Sequence, residues 1–197
     1  MTHTLRRLAL MATAAGLALA SPAVAQTPRA PQDPTLIQPR IQEDEALKAA
    51  IASDSRAEAD RARDRYRHPY ESLTFWGLQP GQTVVEIEPG RAGWWSEILS
   101  PYAEATSGRY VAVNRPLDSM GVEPGEADFV LVARAFHNWH QAGRTEAYMA
   151  AFFDALAPGG ILAVEQHRAP AGANVDQSAP TGYVPETYVI AAARKAG

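Results

Sequence analysis

The chain has 197 residues, a formal net charge of -4 and no cysteine. That length suits one domain with a sizeable core and leaves no room for a second full one. The negative balance argues against nucleic acid as a partner, and the missing thiols exclude disulfides, thiolate metal sites, thiol nucleophiles and lipidated leaders together.

At the N-terminus, Arg6 and Arg7 form a positive patch, Leu8 to Leu19 an apolar run, and Ala23-Val24-Ala25 a small-residue cleavage site, the three parts of a secretory signal. Residues 1–25 are expected to be removed and the mature protein to be periplasmic or secreted. The apolar run is shorter than the roughly 20 residues a spanning helix needs, so no stable membrane insertion is expected after cleavage. The paired arginines also fit a twin-arginine export signal. Residues 26–42 carry Pro28, Pro31, Pro34 and Pro39 with little apolar content, which predicts an extended tether. The domain then occupies 43–197.

Within it, Ser55-Arg56-Ala57-Glu58 has the form of a capping box and predicts a helix to about Tyr66. Arg56, Arg61, Arg63 and Arg65 would lie on its solvated face among Glu58, Asp60 and Asp64. A second short helix is expected from Pro69, stopping at Gly77. Thr83 to Ile87 is a β-branched run that reads as a buried strand, and it leads into Glu88-Pro89-Gly90-Arg91-Ala92-Gly93. Trp95, Ile98, Leu99 and Tyr102 share one face of the helix that follows. Arg109 to Asn114 is the second strand. Residues 115–127 are too few for another helix-strand unit, so a loop is expected there. Phe129 to Ala133, apolar on both faces, is the third strand. The spacing of Tyr148, Ala151, Phe152, Ala155 and Leu156 predicts a helix ended by Pro158-Gly159-Gly160. Ile161 to Gln166 is the fourth strand, and a helix over about Glu186 to Ala196 closes the chain.

This order predicts an α/β fold: a Rossmann-like open, mostly parallel sheet with flanking helices, truncated at the C-terminal strands. Its exposed edges call for a partner, with a homodimer as the candidate. Ligands in such sheets sit beyond the carboxyl ends of the strands. A strand ending in an acid, a glycine turn and a helix is the usual means of bringing backbone N–H groups to a nucleotide cofactor, and Glu86 and Gly90 supply those parts. A tight turn without any ligand at Gly90 and Gly93 is the alternative. His137 and His167 fall just past the ends of neighbouring strands, with His140 close by. An imidazole there suits the removal of a proton from a substrate hydroxyl or amine. The three histidines with a carboxylate would also suit zinc, although no metal is assigned. In the plainer alternative His140 caps the following helix and His167 is a surface residue. Trp94, Trp95 and Trp139 are either an aromatic wall or core.

The stretch Val84-Val85-Glu86-Ile87-Glu88-Pro89-Gly90-Arg91-Ala92-Gly93, followed far downstream by Leu156-Ala157-Pro158-Gly159-Gly160-Ile161-Leu162, resembles the class I S-adenosylmethionine-dependent methyltransferases. More narrowly, Tyr66-Arg67-His68-Pro69, Val85-Glu86-Ile87, Trp94-Trp95-Ser96-Glu97-Ile98-Leu99 and His137-Asn138-Trp139 resemble a group of exported bacterial predicted methyltransferases of unassigned substrate. The likeness runs from about Ala46 to the C-terminus. It implies S-adenosyl-L-methionine as cofactor and a small molecule as methyl acceptor. The cofactor set it implies is Glu86, Glu88, Gly90, Ala92, Gly93, Asn114 and Arg134. Gly90 matches the glycine against which the methionine part lies, Glu86 the acid that helps hold the amino group, and Asn114 the position where a carboxylate usually grips the ribose hydroxyls. Arg134 to His140 match the segment that opens into the site after the family's fourth strand, which puts His137, Asn138 and His140 on the catalytic side.

The departures are specific. Glu88 stands at the first glycine of the family pattern, Ala92 at the third, and Asn114 replaces a two-oxygen acceptor with an amide. Residues 115–127 hold no counterpart of the family's third strand and its helix, and the final strand pair is missing. They motivate two further readings, a non-catalytic binding module on a degenerate methyltransferase fold and a nicotinamide-dependent oxidoreductase using the same turn.

Overall fold

The computed structural model describes residues 43–91 and 93–197. The predicted leader (1–25), the predicted tether (26–42) and Ala92, one of the expected cofactor residues, lie outside the described residues. The helices are α1 (Glu45–Ala52), α2 (Glu58–Arg61), α3 (Asp64–Arg67), α4 (Pro69–Trp76), α5 (Ser96–Ala105), α6 (Phe136–Gln141), α7 (Thr145–Ala155), α8 (Val175–Ser178) and α9 (Glu186–Ala196). The strands β1 (Thr83–Ile87), β2 (Arg109–Val113), β3 (Ala127–Ala133) and β4 (Leu156–Glu165) pair in parallel in the order β2-β1-β3-β4. The expected open parallel sheet with flanking helices is therefore present.

Alternation along the strands sorts the core into two layers. Val85, Ile87, Val113, Val130 and Val132 pack with Phe136, Trp139, Met149 and Phe152 of α6 and α7, and α9 covers the same layer through Tyr188, Val189 and Ala192. Val84, Phe129, Leu131 and Ala163 pack on the other face with Leu47, Leu73, Ile98, Leu99 and Tyr102 of α1, α4 and α5. Asp44 pins that second layer. Its side chain caps α1 by accepting from the Leu47 N–H at 3.0 Å and also accepts the Tyr102 hydroxyl at 2.6 Å, while its own N–H donates to the Tyr70 hydroxyl at 3.0 Å.

Three local expectations are corrected. The capping box does not form. Ser55 Oγ shares a hydrogen bond with Ser53 Oγ, and the predicted helix is broken into the single turns α2 and α3. The reason is Arg56, expected on a solvated face but only 2 % exposed. Its Nη1 and Nη2 donate to the two Asp64 carboxylate oxygens at 2.7 and 2.9 Å, and Nη1 also donates to the Ile51 carbonyl at 2.7 Å. Folding Asp64 back onto Arg56 is incompatible with one continuous helix.

The third correction concerns Pro158-Gly159-Gly160. It does not stop α7, which ends at Ala155 because Leu156 is already extended and joins the sheet opposite Ala127. The Pro-Gly-Gly segment instead forms a wide bulge, since the register passes from Ala127↔Leu156 to Phe129↔Ile161. A Cβ at Gly160 would lie 2.9 Å from the carbonyl oxygens of Ala127 and Ala157, so only glycine fits the bulge. Sequence reading also missed α1, α6 and a separate parallel ladder of β5 (His167–Arg168) with β6 (Tyr183–Val184). Among the described residues no helix is long and apolar enough to cross a membrane.

Arg56→Ala leaves the half-buried Asp64 and Glu97 without their cation and is expected to destabilise the domain by about 3 kcal/mol in denaturant unfolding. Arg61→Ala, which loses only an exposed pair with Asp54, is expected to change stability by less than about 0.5 kcal/mol.

Candidate functional site

The chain leaves β1 toward β2 on one side and returns to β3 on the other, so the sheet has its topological switch point between β1 and β3. Open α/β sheets take their ligands at such a point, beyond the carboxyl ends of the strands. Two segments leave the sheet there: residues 88–91 and 93 after β1, and residues 134–140 after β3. Both therefore open on the same rim.

The turn after β1 is left-handed at Glu88 (φ 50°), Gly90 (φ 72°) and Gly93 (φ 53°). Glu88 first extends the ladder, donating its N–H to the Val113 carbonyl of β2 at 2.7 Å. A side chain at a positive φ costs about 1 to 2 kcal/mol, so the fold must hold Glu88 there. Its carboxylate does so, with Oε1 accepting the Tyr148 hydroxyl at 3.1 Å and Oε2 the Trp139 Nε1–H at 3.2 Å. Those two rings stack at 4.3 Å with 16° between their planes. Burial and then the Glu88 charge push the Tyr148 hydroxyl pKa up. At Gly90 an added Cβ would meet none of the described residues within 4 Å. Gly93 packs close to the start of α5, where a Cβ would lie 3.2 Å from Ser96 Oγ.

Glu86, only 2 % exposed, points to the other face. Its Oε2 accepts Ser96 Oγ–H at 2.8 Å and the Tyr110 hydroxyl at 2.7 Å, which ties β1 to α5 and β2. Burial pushes the Glu86 pKa up, against the two hydroxyl bonds that lower it. Asn114 is exposed just past β2, in a shallow depression of about 290 Å³ that Asp118 and Ser119 also line. Arg134 follows β3 in left-handed backbone (φ 56°), donates its N–H to the Glu165 carbonyl at 2.7 Å and holds its Nε 3.9 Å from that residue's carboxylate. Glu165 Oε2 also accepts Trp95 Nε1–H at 2.9 Å.

The histidines separate. His137 is half-buried with Nδ1 3.5 Å from Gln166 Nε2, and Asn138 is exposed on the same short helix. His140 has both ring nitrogens engaged, Nδ1 with the Tyr188 hydroxyl and Nε2 with Asp176, each at 2.8 Å. It joins α6 to α8 and α9 and does not cap α7. His167 is exposed, its ring 5.4 Å from that of Tyr183. Among the described residues no three His, Cys, Asp or Glu side chains converge in metal-binding geometry, so the zinc arrangement of the three histidines is not formed. Trp94, Trp95 and Trp139 are all buried. Two cavities, of about 710 and 520 Å³, line β5, β6 and α9 and share no residue with the β1 turn.

Sequence reasoning missed Tyr110, Tyr148 and Glu165, whose polar ends meet Glu86, Glu88 and Trp95. Tyr110 lies within the second strand and Tyr148 fits a helical core stripe, so neither pattern marked its hydroxyl. Arg67 stood in a quoted segment but drew no role.

No family model matches the chain, and no curated protein matches it. Among solved structures, a SAM-dependent methyltransferase from Aquifex aeolicus shares 16 % identity, with a TM-score of 0.49 over 69 % of this chain and 82 % of that one. The phosphoethanolamine N-methyltransferase 2 of Haemonchus contortus, solved with S-adenosylhomocysteine, shares 16 % at a TM-score of 0.44 over 67 % of this chain, which spans 37 % of its length. The geranyl diphosphate C-methyltransferase of Streptomyces coelicolor shares 14 % at a TM-score of 0.42, covering 75 % of this chain and 67 % of that one. At these distances the likenesses decide nothing about activity, which has to be read from the residues.

The raised Glu86 pKa makes the folded state hold its proton more tightly than the unfolded chain. Stability from this group is accordingly expected to fall as pH rises from the unfolded carboxylate value, about 4.3, through the raised folded value. Glu86→Gln keeps an oxygen for Ser96 and Tyr110, and its unfolding free energy is expected to lose this descending limb when measured in denaturant across pH 4 to 8.

Proposed function

We propose that the chain is an exported methyltransferase that binds S-adenosylmethionine in the crevice between β1 and β3 and methylates a small-molecule acceptor. The observation that carries this reading is the left-handed turn after β1, which opens at the switch point with free space in front of Gly90. The donor set suits the cofactor: carboxylate oxygens of Glu88 for an ammonium, and the amide of Asn114 with the Asp118 carboxylate for a ribose diol. When bound, that cofactor supplies a methyl group already activated by a positive sulfur.

The chain's own part is placement and proton removal. Gly90 keeps the floor of the crevice clear, Glu88 and Asn114 orient the ligand from its two sides, and the rings of Trp139 and Tyr148 keep water from the α6 and α7 side. His137 is the base of this reading. At 3.5 Å the Gln166 amide makes at most a weak bond to its Nδ1, so that nitrogen is free to take a proton from an acceptor hydroxyl or amine. Export rests on Arg6-Arg7, the apolar run and Ala23-Val24-Ala25.

A second reading, a binding module without catalysis, is favoured by one observation: the Glu88 carboxylate already has both oxygens engaged by Trp139 and Tyr148. It would then be a strut across the crevice instead of a ligand-binding group.

Calorimetric titration of the purified chain with S-adenosylmethionine and S-adenosylhomocysteine is expected to give saturable heat, weakened about tenfold or more in Gly90→Val, whose side chain fills the open space. Glu88→Gln is expected to weaken binding as well. No heat from the unaltered chain at millimolar ligand, with heat appearing in Glu88→Gly, would establish the strut and reject the methyltransferase.

A further inference from the structure

Two arginines beside the Trp94–Trp95 pair, Arg67 and Arg134, take no part in the proposed methyl transfer. Arg67 ends α3 with its guanidinium 4.4 Å from the centroid of the Trp94 ring. Stacking of this kind orders a guanidinium without consuming its N–H donors. Among the described residues the Arg67 guanidinium makes no ion pair and donates no hydrogen bond. Arg134 has its side chain 43 % exposed and its Nε 3.9 Å from Glu165.

The two are parts of one patch. Glu165 holds Trp95 Nε1–H, and Trp95 packs edge-on against Trp94 with 4.6 Å between ring centroids. Arg63 is matched by Asp60 at 3.3 Å. That leaves the guanidiniums of Arg67 and Arg134 at the two ends of one run of contacts: Arg67 on Trp94, Trp94 on Trp95, and Trp95 and Arg134 both on Glu165. They act on each other: burial, and then the charges of Arg134 and Arg63, hold the Arg67 pKa below the ordinary arginine value, outweighing Glu165 and Asp60. The ordinary value is so high that the group stays a cation. An anion bound between two neighbouring guanidiniums relieves their mutual repulsion.

We propose that Arg67 and Arg134 form an anion subsite that takes the carboxylate or phosphate group of a small acidic molecule entering the crevice. Forked guanidinium donors match the paired oxygens of either group. Only the step of calling this molecule the methyl acceptor rests on the proposed function. Binding of the anion itself does not.

The test uses the full chain without cofactor and follows tryptophan emission, because Trp94 touches Arg67 and Trp95 touches the Glu165 that faces Arg134. Inorganic phosphate and succinate are titrated separately, with ionic strength held constant by sodium chloride. At least one of them is expected to give a saturable change, weakened about tenfold in Arg67→Gln and in Arg134→Gly and unchanged in Arg194→Gln on the far helix α9. Glycine accepts the left-handed backbone at position 134, so Arg134→Gly is expected to keep or raise the Tm and cannot fail merely by unfolding. A response to phosphate alone assigns a phosphate ester, and one to succinate alone a carboxylate. No saturable change with either anion, or equal affinity in both variants and the unaltered chain, overturns the subsite. Anion binding without any cofactor heat would keep the subsite and remove the methyl-transfer reading, and cofactor heat without an anion response would do the reverse.

Discussion

Everything at the rim depends on β1 being paired on both sides and covered on both faces. Val84, Val85, Glu86 and Ile87 are all buried, between β2 and β3 and between two helical layers. A strand so enclosed cannot slip by one residue without turning its apolar side chains to the wrong layer and moving Glu86 away from Ser96 and Tyr110. The register in turn decides where the backbone escapes. It leaves the sheet at Glu88, in a left-handed bend opposite the end of β3.

Glu86 and Arg56 are the two charged side chains most deeply buried among the described residues, each 2 % exposed. They do related work at different depths. Glu86 holds the central strand to the helix that follows the turn, through two hydroxyls in place of a cation. Arg56 holds the chain segment before the sheet, through a forked pair with Asp64, and lies 5.4 Å from the centroid of the same Trp94 ring that Arg67 covers. Neither arrangement is an efficient source of stability, since removing a charge from water offsets most of what its partners return. Both do fix geometry, Glu86 that of the helix after the turn and Arg56 that of the segment before the sheet.

Charge of both signs gathers beyond the strand ends. Glu88 offers a carboxylate held by the stacked Trp139 and Tyr148. Arg67 lies over Trp94, and Arg134 lies beside Glu165, which holds Trp95.

The strands, the glycine turn and the helix after it were legible because they are written in local patterns: β-branched runs, a Pro-Gly boundary, and apolar residues at helical spacing. Thr83 to Ile87 was found to the residue for that reason. The apolar run of 129–133 and the helix over 186–196 were equally plain. Local pattern failed where a distant partner overrode it. The Ser55 capping box lost to the Arg56 pair with Asp64, Pro158-Gly159-Gly160 became a bulge because β3 claimed Leu156, and a helix stripe gave no sign that the Tyr148 hydroxyl reaches Glu88. Composition and order alone thus determined a parallel α/β sheet with an acid and a glycine turn after its first strand, since backbone preference and hydrophobic period act over a few residues. Which acids are sealed, which arginines face one another and which histidines are committed elsewhere was decided only by tertiary structure, because charge and hydrogen-bond partnership depend on distance in space and not on separation along the chain.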